Sequence, residues 1–373
     1  MQEDFHYYAT YCAAFLAGYS HEESLDIAYS AQFVDLCSRS FLSKIHGPSD
    51  AATTQLSLEL MDARTDILGL QDITRIWASF HFLPKDLYAE KKGRTRRYMY
   101  KYRLICGPNG SLVKDTVTLA KDKPVQSVGI AMHVLADTWA HSNFAGTPSL
   151  VINNTDYDFT EILGTGENKS ERAIKFRHST SVPDDLENGI FTNSITQTNE
   201  NSIMNLGHGR AGHLPDYCFM RYKYVPAWGD YTVITKDNPS DYRKAFCQMI
   251  YAMKFIRGES EKFELETYDY DAIENCSSRI QEILEKRQLI ASDDWKIFGE
   301  ELSGESIADF ELEKYTKEYI DASKDSKKDT FLGKFIDGAI AQKSMVTNRI
   351  YKSKNVLAGF SKEIFRIGDA EIG

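Results

Sequence analysis

The spacing of apolar positions predicts helices over most of this chain. "DFHYYATYCAAFLAGY" is apolar around most of a helical circumference and stops at Gly18. A second helix, "SHEESLDIAYSAQFVDLCSRSFL", opens with Ser20 and has Glu23 three residues later, the pattern of a capping box. Residues 50–68 read as a moderate helix or a loop, and "ITRIWASFHFLP" ends at Pro84. Over 94–119 the character changes: aromatic and β-branched residues flank "GPNGS", which predicts a β-hairpin closed by an Asn-Gly turn. A helix is expected from about Pro124 to Asn143, then a polar surface loop over about 147–200. After a Gly/His segment, "NLGHGRAGHLPD", helices are expected at 240–257, 270–289, 293–302 and about 306–350. No internal repeat is visible. The expected architecture is mainly α, a multi-helix bundle with a small hairpin insertion. A helical domain would span 1–260 and a C-terminal helical region 261–373, the latter carrying the charged, solvated stretch "KYTKEYIDASKDSKKD".

One predicted helix carries an anomaly. In "VGIAMHVLADTWAHSNFAG", Gly129, His133, Asp137 and His141 recur every four residues and so form one row along a helix face. The apolar row of Val125, Val128, Met132, Leu135 and Trp139 lies roughly 100° around. His133 and His141 would sit about 12 Å apart along the axis, too far to share one ion through bonds near 2 Å. Asp137 lies between them with two oxygens. The row suggests neighbouring metal ions with Asp137 shared; the plain alternative is a hydrogen-bonded chain that fixes helix packing.

Other residues extend the pattern. His6 in "DFHYY" follows Asp4 by two positions and serves either as ligand or as packing. Asp35 stands among Ala28, Ala31 and Phe33, where a buried carboxylate needs a metal, an arginine or a helix cap. His81 is flanked by Trp77, Phe80 and Phe82, as hydrogen-bonded core or as ligand. "GHGRAGHLPD" supplies His208, His213 and Asp216, with glycines that permit close approach; its alternative is a tight loop with surface histidines. His21, His46 and His178 sit among polar or turn residues and read as surface. A donor set of N and O atoms without thiolates suits Zn, Mn or Fe, with Zn the default. Such ions lower the pKa of coordinated water to about 7 and stabilise a leaving oxygen.

Composition narrows the classes. The chain has 373 residues, 42% hydrophobic and 12% aromatic, ample for a core. A net charge of −10 excludes a global basic footprint for nucleic acid. "KKGRTRR" at 91–97 remains as a local basic run before "YMYKYR"; it is either a solvated flank or a site for phosphate groups. Six cysteines without CxxC spacing suit neither a disulfide scaffold nor a cysteine zinc site. No signal peptide and no run of about 18 apolar residues is visible, so the expected location is the cytoplasm.

The blocks "DFHYY", "QFVD", "FHFLP", "HVLADTWAHSNFAG" and "GHGRAGHLPD", in this order, resemble a family of uncharacterised bacterial proteins over about residues 1–230. More distantly, a helical His-x-x-x-Asp followed by a further His is similar to the zinc-dependent phospholipase C and P1-type nuclease superfamily. That resemblance implies a mainly α fold, two or three zinc ions in a cleft, and hydrolysis of phosphate esters. It implies one ion held by Asp35, His81, His133 and Asp137. A second would be held by His141 with His208 or His213 and Asp216, and a third by His6 and Asp137, with Asp4 as a further candidate. In that superfamily an N-terminal tryptophan supplies its amino group; Met1 stands first here. Asp35 and Asp137 would be the catalytic carboxylates, acting on a phospholipid headgroup or a nucleic acid. The competing expectation is a non-catalytic metal-binding protein that engages a partner, or a second copy of itself, through its C-terminal helices.

Overall fold

A computed structural model describes residues 1–56, 59, 67–147, 158–164, 166–177, 182–193 and 209–358. A π-helical stretch, Asp4–Ala9, runs into α1 (Thr10–Leu16). Gly18 then turns the chain at φ +87°, a left-handed conformation that costs glycine little. α2 (His21–Phe33) opens with the expected capping box: the Glu23 N–H donates to Ser20 Oγ at 3.3 Å, and the Ser20 N–H to Glu23 Oε2 at 2.9 Å. α3 (Arg39–Lys44), α4 (Ile67–Phe80), α5 (Arg96–Tyr102), α6 (Ser111–Ala120) and α7 (Val125–Ala140) follow. The C-terminal part holds α8 (Asn238–Ile256), α9 (Ser277–Glu285), α10 (Ser292–Ser303), α11 (Thr316–Asp321) and α12 (Phe331–Lys352). The chain is thus mainly α, as its apolar spacing predicts.

The hairpin expected over 94–119 does not form; α5 and α6 occupy its place. Thr95 Oγ1 accepts from the Tyr98 N–H at 3.3 Å and starts α5, so the aromatic residues that suggested a strand ride on a short helix instead. "GPNG" joins two helices. Asn109 takes φ +60°, and its Oδ1 accepts from Gln248 Nε2 at 2.6 Å and from the Glu266 N–H at 3.0 Å. A Cβ on Gly110 would lie 2.3 Å from the Lys85 carbonyl oxygen. The turn chemistry is real, but distant contacts decide what it connects.

Strands lie further along: β1 (Thr160–Leu163), β2 (Ser170–Ala173), β3 (Lys175–Arg177), β4 (Ile190–Thr192), β5 (Arg221–Tyr224) and β6 (Ile234–Asp237). The segment expected as one long loop therefore contains β1 to β4. Four strands form an antiparallel sheet in the order β2-β1-β5-β6, and β3 pairs with β4 in parallel. On β5, Tyr222 and Tyr224 are buried while Arg221 and Lys223 are partly exposed, the alternation of a half-buried strand. Glu161 on β1 is buried and clamped by Arg172 from β2 and by Arg287 Nη1 at 2.8 Å, just beyond α9.

α7 is the central helix. Every residue from Val128 to Ala140 is buried, and it packs against α2, α6, α8 and α12. Tyr242, Trp295 and Phe335 belong to the same apolar core as Phe5 and Leu135, so both sides of position 260 share one core. The sheet covers the C-terminal end of α7: Phe144 stacks on Tyr224 at 5.5 Å, and Lys236 Nζ donates to the Trp139 carbonyl at 2.8 Å. A cation at that end also complements the helix dipole. Among the described residues, no helix is long and apolar enough to cross a membrane.

Gly129 sets the approach of α2 to α7. A Cβ there would lie 2.4 Å from the Ile27 carbonyl oxygen and 2.5 Å from Ser30 Cβ, with no flexible tip to move aside. Gly129→Ala is expected to destabilise the fold by about 3 kcal/mol, the upper end of ordinary overpacking. Urea unfolding reads it; an unchanged midpoint would mean that α2 slides freely on α7.

Lys343 on α12 gives a pH-dependent prediction. Its Nζ donates to the Ala52 carbonyl at 3.0 Å, and burial pushes its pKa from 10.5 down to about 8, with Arg39 and Arg75 acting in the same direction and Asp72 and Cys37 against. Between about 8 and 10.5 the unfolded chain binds more protons than the folded one, so stability rises with pH across that window and is lost as pH falls through 8. Lys343→Met is predicted to stabilise the protein near neutral pH by about 1–2 kcal/mol, the relieved desolvation less one hydrogen bond. The variant's urea midpoint should also lose its rise in alkali.

Candidate metal centre

Four separate segments converge on α7. His6 comes from the π-helical stretch, a helix form frequent at functional sites. Asp35 sits in the turn after α2, where its N–H donates to the Gln32 carbonyl. His81 follows the last residue of α4, with its N–H on the Trp77 carbonyl. His133 and Asp137 project from α7, and His141 is that helix's C-cap. Asp216 ends a turn whose Gly212, at φ +57°, would place a Cβ 2.0 Å from the Thr192 carbonyl oxygen. Only a glycine there lets the turn press against β4.

Asp137 occupies the middle. Its Oδ1 lies 3.1 Å from His6 Nε2, and its Oδ2 lies 3.2 Å from His133 Nε2 and 3.3 Å from His81 Nδ1. His81 Nδ1 is also 3.6 Å from Asp35 Oδ1, and His133 Nε2 is 3.9 Å from the same oxygen. His141 Nε2 lies 3.2 Å from Asp216 Oδ1. The Met1 nitrogen is 2.8 Å from Asp137 Oδ1, 3.2 Å from Asp216 Oδ1 and 3.3 Å from His141 Nε2. His6, His133 and Asp137 are almost wholly buried, whereas the Asp35 side chain is 30% exposed.

The hydrogen bonds on the outside of the cluster fix the imidazoles. His133 Nδ1 meets the Ala31 carbonyl at 2.9 Å, His81 Nε2 the Thr53 carbonyl at 3.0 Å, and His141 Nδ1 the His81 carbonyl at 2.7 Å. A carbonyl can only accept, so each of these outer nitrogens carries a hydrogen. In the neutral rings the inner nitrogens then present lone pairs. His133 Nε2 and His81 Nδ1 face each other at 3.3 Å, with carboxylate oxygens beside both. Acceptors gathered this way repel unless a cation lies among them. This is also how metal-ligating histidines are oriented, with the outer N–H given to a backbone carbonyl.

The spans agree with that reading. Two groups, His6–His133–Asp137 and Asp35–His81–His133, each bring three ligand atoms within 4.8 Å of one another. A tetrahedral ion with bonds near 2.1 Å would hold its ligand atoms about 3.4 Å apart. The buried His and Asp residues could therefore hold a metal ion.

Burial and charge in the cluster favour a neutral His6 and an anionic Asp137. Burial, aided by the neighbouring His133, pushes the His6 pKa down to about 4, against the pull of Asp137. The two rings stack at 3.9 Å, and His6 Nδ1 is buried without a hydrogen-bond partner. Burial opposes the charge on Asp137, but His141, the Met1 amino group, His133 and His6 together hold its carboxyl well below the usual range.

Of the residues the sequence proposes, His6, Asp35, His81, His133, Asp137, His141 and Asp216 are brought together. Asp35 is not enclosed as its apolar neighbours suggest; it lies at the edge. His213 is 55% exposed and approaches the outer oxygen of Asp216 at 3.5 Å, an interaction that raises its pKa. His208 lies outside the described residues. Asp4 is turned away: its Oδ2 accepts from the Ala291 N–H at 3.0 Å, and burial raises its pKa to about 6. Sequence reasoning missed the carbonyls of Ala31, Thr53 and His81, which no side-chain pattern reveals.

Fold and site together define a mainly helical protein with a buried His/Asp cluster able to hold a metal ion. The chain belongs to DUF6765, a family of unknown function whose pattern matches residues 1–350. Neither the curated proteins nor the solved structures contain a significant match to it.

Proposed function

We propose that the protein is a metal-dependent hydrolase of phosphate esters. The observation that carries this reading is the cluster of inward lone pairs from His81, His133, Asp35 and Asp137, opened to solvent on one side at Asp35. Structural metal sites are usually closed by four protein ligands, whereas catalytic ones keep an open position. Asp35, His81 and His133 would hold one ion, with Asp137 between it and neighbours held by His6 or by His141 and Asp216. The donor set favours zinc, with manganese or iron as alternatives. When bound, such ions supply Lewis acidity that acidifies water and neutralises charge developing on a phosphoryl group.

The chain's own residues supply the rest. Asp35, at the solvent edge, is placed to accept a proton from an attacking water. Asp137 keeps its negative charge among imidazoles and balances the cations of the site. The three backbone carbonyls hold the imidazoles in one tautomer, so no reorientation accompanies the reaction. The distant similarity of the His133–Asp137–His141 block to the phospholipase C and P1-type nuclease superfamily supports the same class. A phospholipid headgroup or a nucleic acid phosphodiester would be the substrate.

Elemental analysis of protein purified without added metal, with phosphodiester, phospholipid and nucleic acid assays, tests the proposal. Substoichiometric metal with no gain on reconstitution would sink it. The deep burial of His6, His133 and Asp137 favours a second reading, a closed and non-catalytic metal centre whose C-terminal helices engage a partner. Full metal retention without turnover, together with a co-purifying protein, would support that reading instead.

A further inference from the structure

We propose that the face built from residues 88–103 and the 227–233 turn docks on an anionic lipid bilayer. None of the residues of α5 is buried, and Lys92, Arg96 and Arg97 are exposed there on a chain of net charge −10. Lys91 and Arg94 instead hold the neighbouring turn: Lys91 Nζ lies 2.8 Å from Asp230 Oδ2, and Arg94 pairs with the other oxygen. Asp230 and Tyr231 both adopt left-handed backbone, at φ +51° and +65°. That conformation is strained for a bulky residue such as tyrosine, and it persists only where surrounding contacts enforce it. Its result is to present Tyr231 at 86% and Val233 at 55% exposure beside the basic helix. Tyr88, 67% exposed, lies on a segment tied to the same face by the bond from Arg103 Nε to the Ala89 carbonyl.

Cations ringed by exposed tyrosines and an aliphatic side chain match the chemistry of a headgroup layer. The cations meet lipid phosphates, and the amphipathic rings sit at the interface. Single-stranded nucleic acid would need open aromatic faces for base stacking. On α5 and its flank each tyrosine already carries a cation: Arg94 lies over Tyr98 at 5.0 Å, Arg96 over Tyr100 at 5.4 Å and Lys91 over Tyr102 at 5.5 Å, which leaves only the separate Tyr88 and Tyr231 open. The observations therefore favour the bilayer. The face adjoins the metal centre, because Trp228 Nε1 donates to the Asn143 carbonyl at 3.1 Å, two residues beyond His141. The docking surface does not depend on the hydrolase reading.

Co-sedimentation of the full chain with phosphatidylcholine vesicles, with and without phosphatidylserine, tests the proposal, with single-stranded DNA in parallel. Binding is expected to phosphatidylserine vesicles, to weaken with salt, and to fall by about tenfold or more in the Arg96→Glu, Arg97→Glu double variant. Tyr231→Ser with Val233→Ser should weaken vesicle binding several-fold while keeping its salt dependence. All four positions are on the surface, and melting curves of the variants verify their fold. No binding of the parent protein to phosphatidylserine vesicles overturns the proposal. So does binding that both double variants leave unchanged, or binding to DNA alone. Metal content measured on the same preparations keeps a failure of this surface separate from a failure of the metal centre.

Discussion

Chelation should lower the melting temperature of the protein by roughly 5–10 °C, with recovery on returning a divalent ion. An ion present at about a thousand times its dissociation constant contributes about 4 kcal/mol through binding to the folded state alone. At roughly 2 °C per kcal/mol for a chain of this size, that sets the shift. Removing the ion also leaves the two acceptors His81 Nδ1 and His133 Nε2 opposed at 3.3 Å, which adds to the loss. Metal affinity should weaken as pH falls, because imidazole and carboxylate ligands bind only when deprotonated. A melting curve indifferent to strong chelators would assign the histidines to ordinary core packing.

Asp137→Asn is expected to abolish stoichiometric metal binding and to lower the proposed phosphoesterase activity by several orders of magnitude. The amide keeps the shape of the carboxylate but not the charge that faces His6, His81, His133 and the Met1 nitrogen. Breaking a buried ionic cluster by removing one partner costs about 3–5 kcal/mol. Chelation and substitution act on the same interaction, so their effects should not add. The variant should melt low and should no longer respond to chelator. Additive losses would place Asp137 outside any metal site.

How legible all this was depends on which forces act locally. The helix over 125–140 was readable because Pro124 starts it and both of its rows repeat at helical spacing. The Ser20–Glu23 capping box was equally local. Residues 94–119 are not legible in this way, because aromatic content and Asn-Gly chemistry favour a hairpin in isolation while the fold makes two helices. Bonds from Gln248 and Glu266 to Asn109 are made from more than a hundred positions away. In the candidate site, seven residues singled out by their apolar or glycine-rich neighbours do converge. Exposure was harder to foresee: Asp35 and His213 lie at edges that only tertiary packing defines. The carbonyls that fix the imidazoles carry no sequence signature at all.

The cluster draws its groups from position 6 at one end of its span and position 216 at the other. Such distant closures are slow, because chain entropy is lost before the contacts that reward it exist. A chain emerging from a ribosome cannot complete this arrangement until Asp216 is free to reach His141. The centre therefore ties the first turn of the chain to a turn more than two hundred positions later, and Asp216 is the last of its groups to be made.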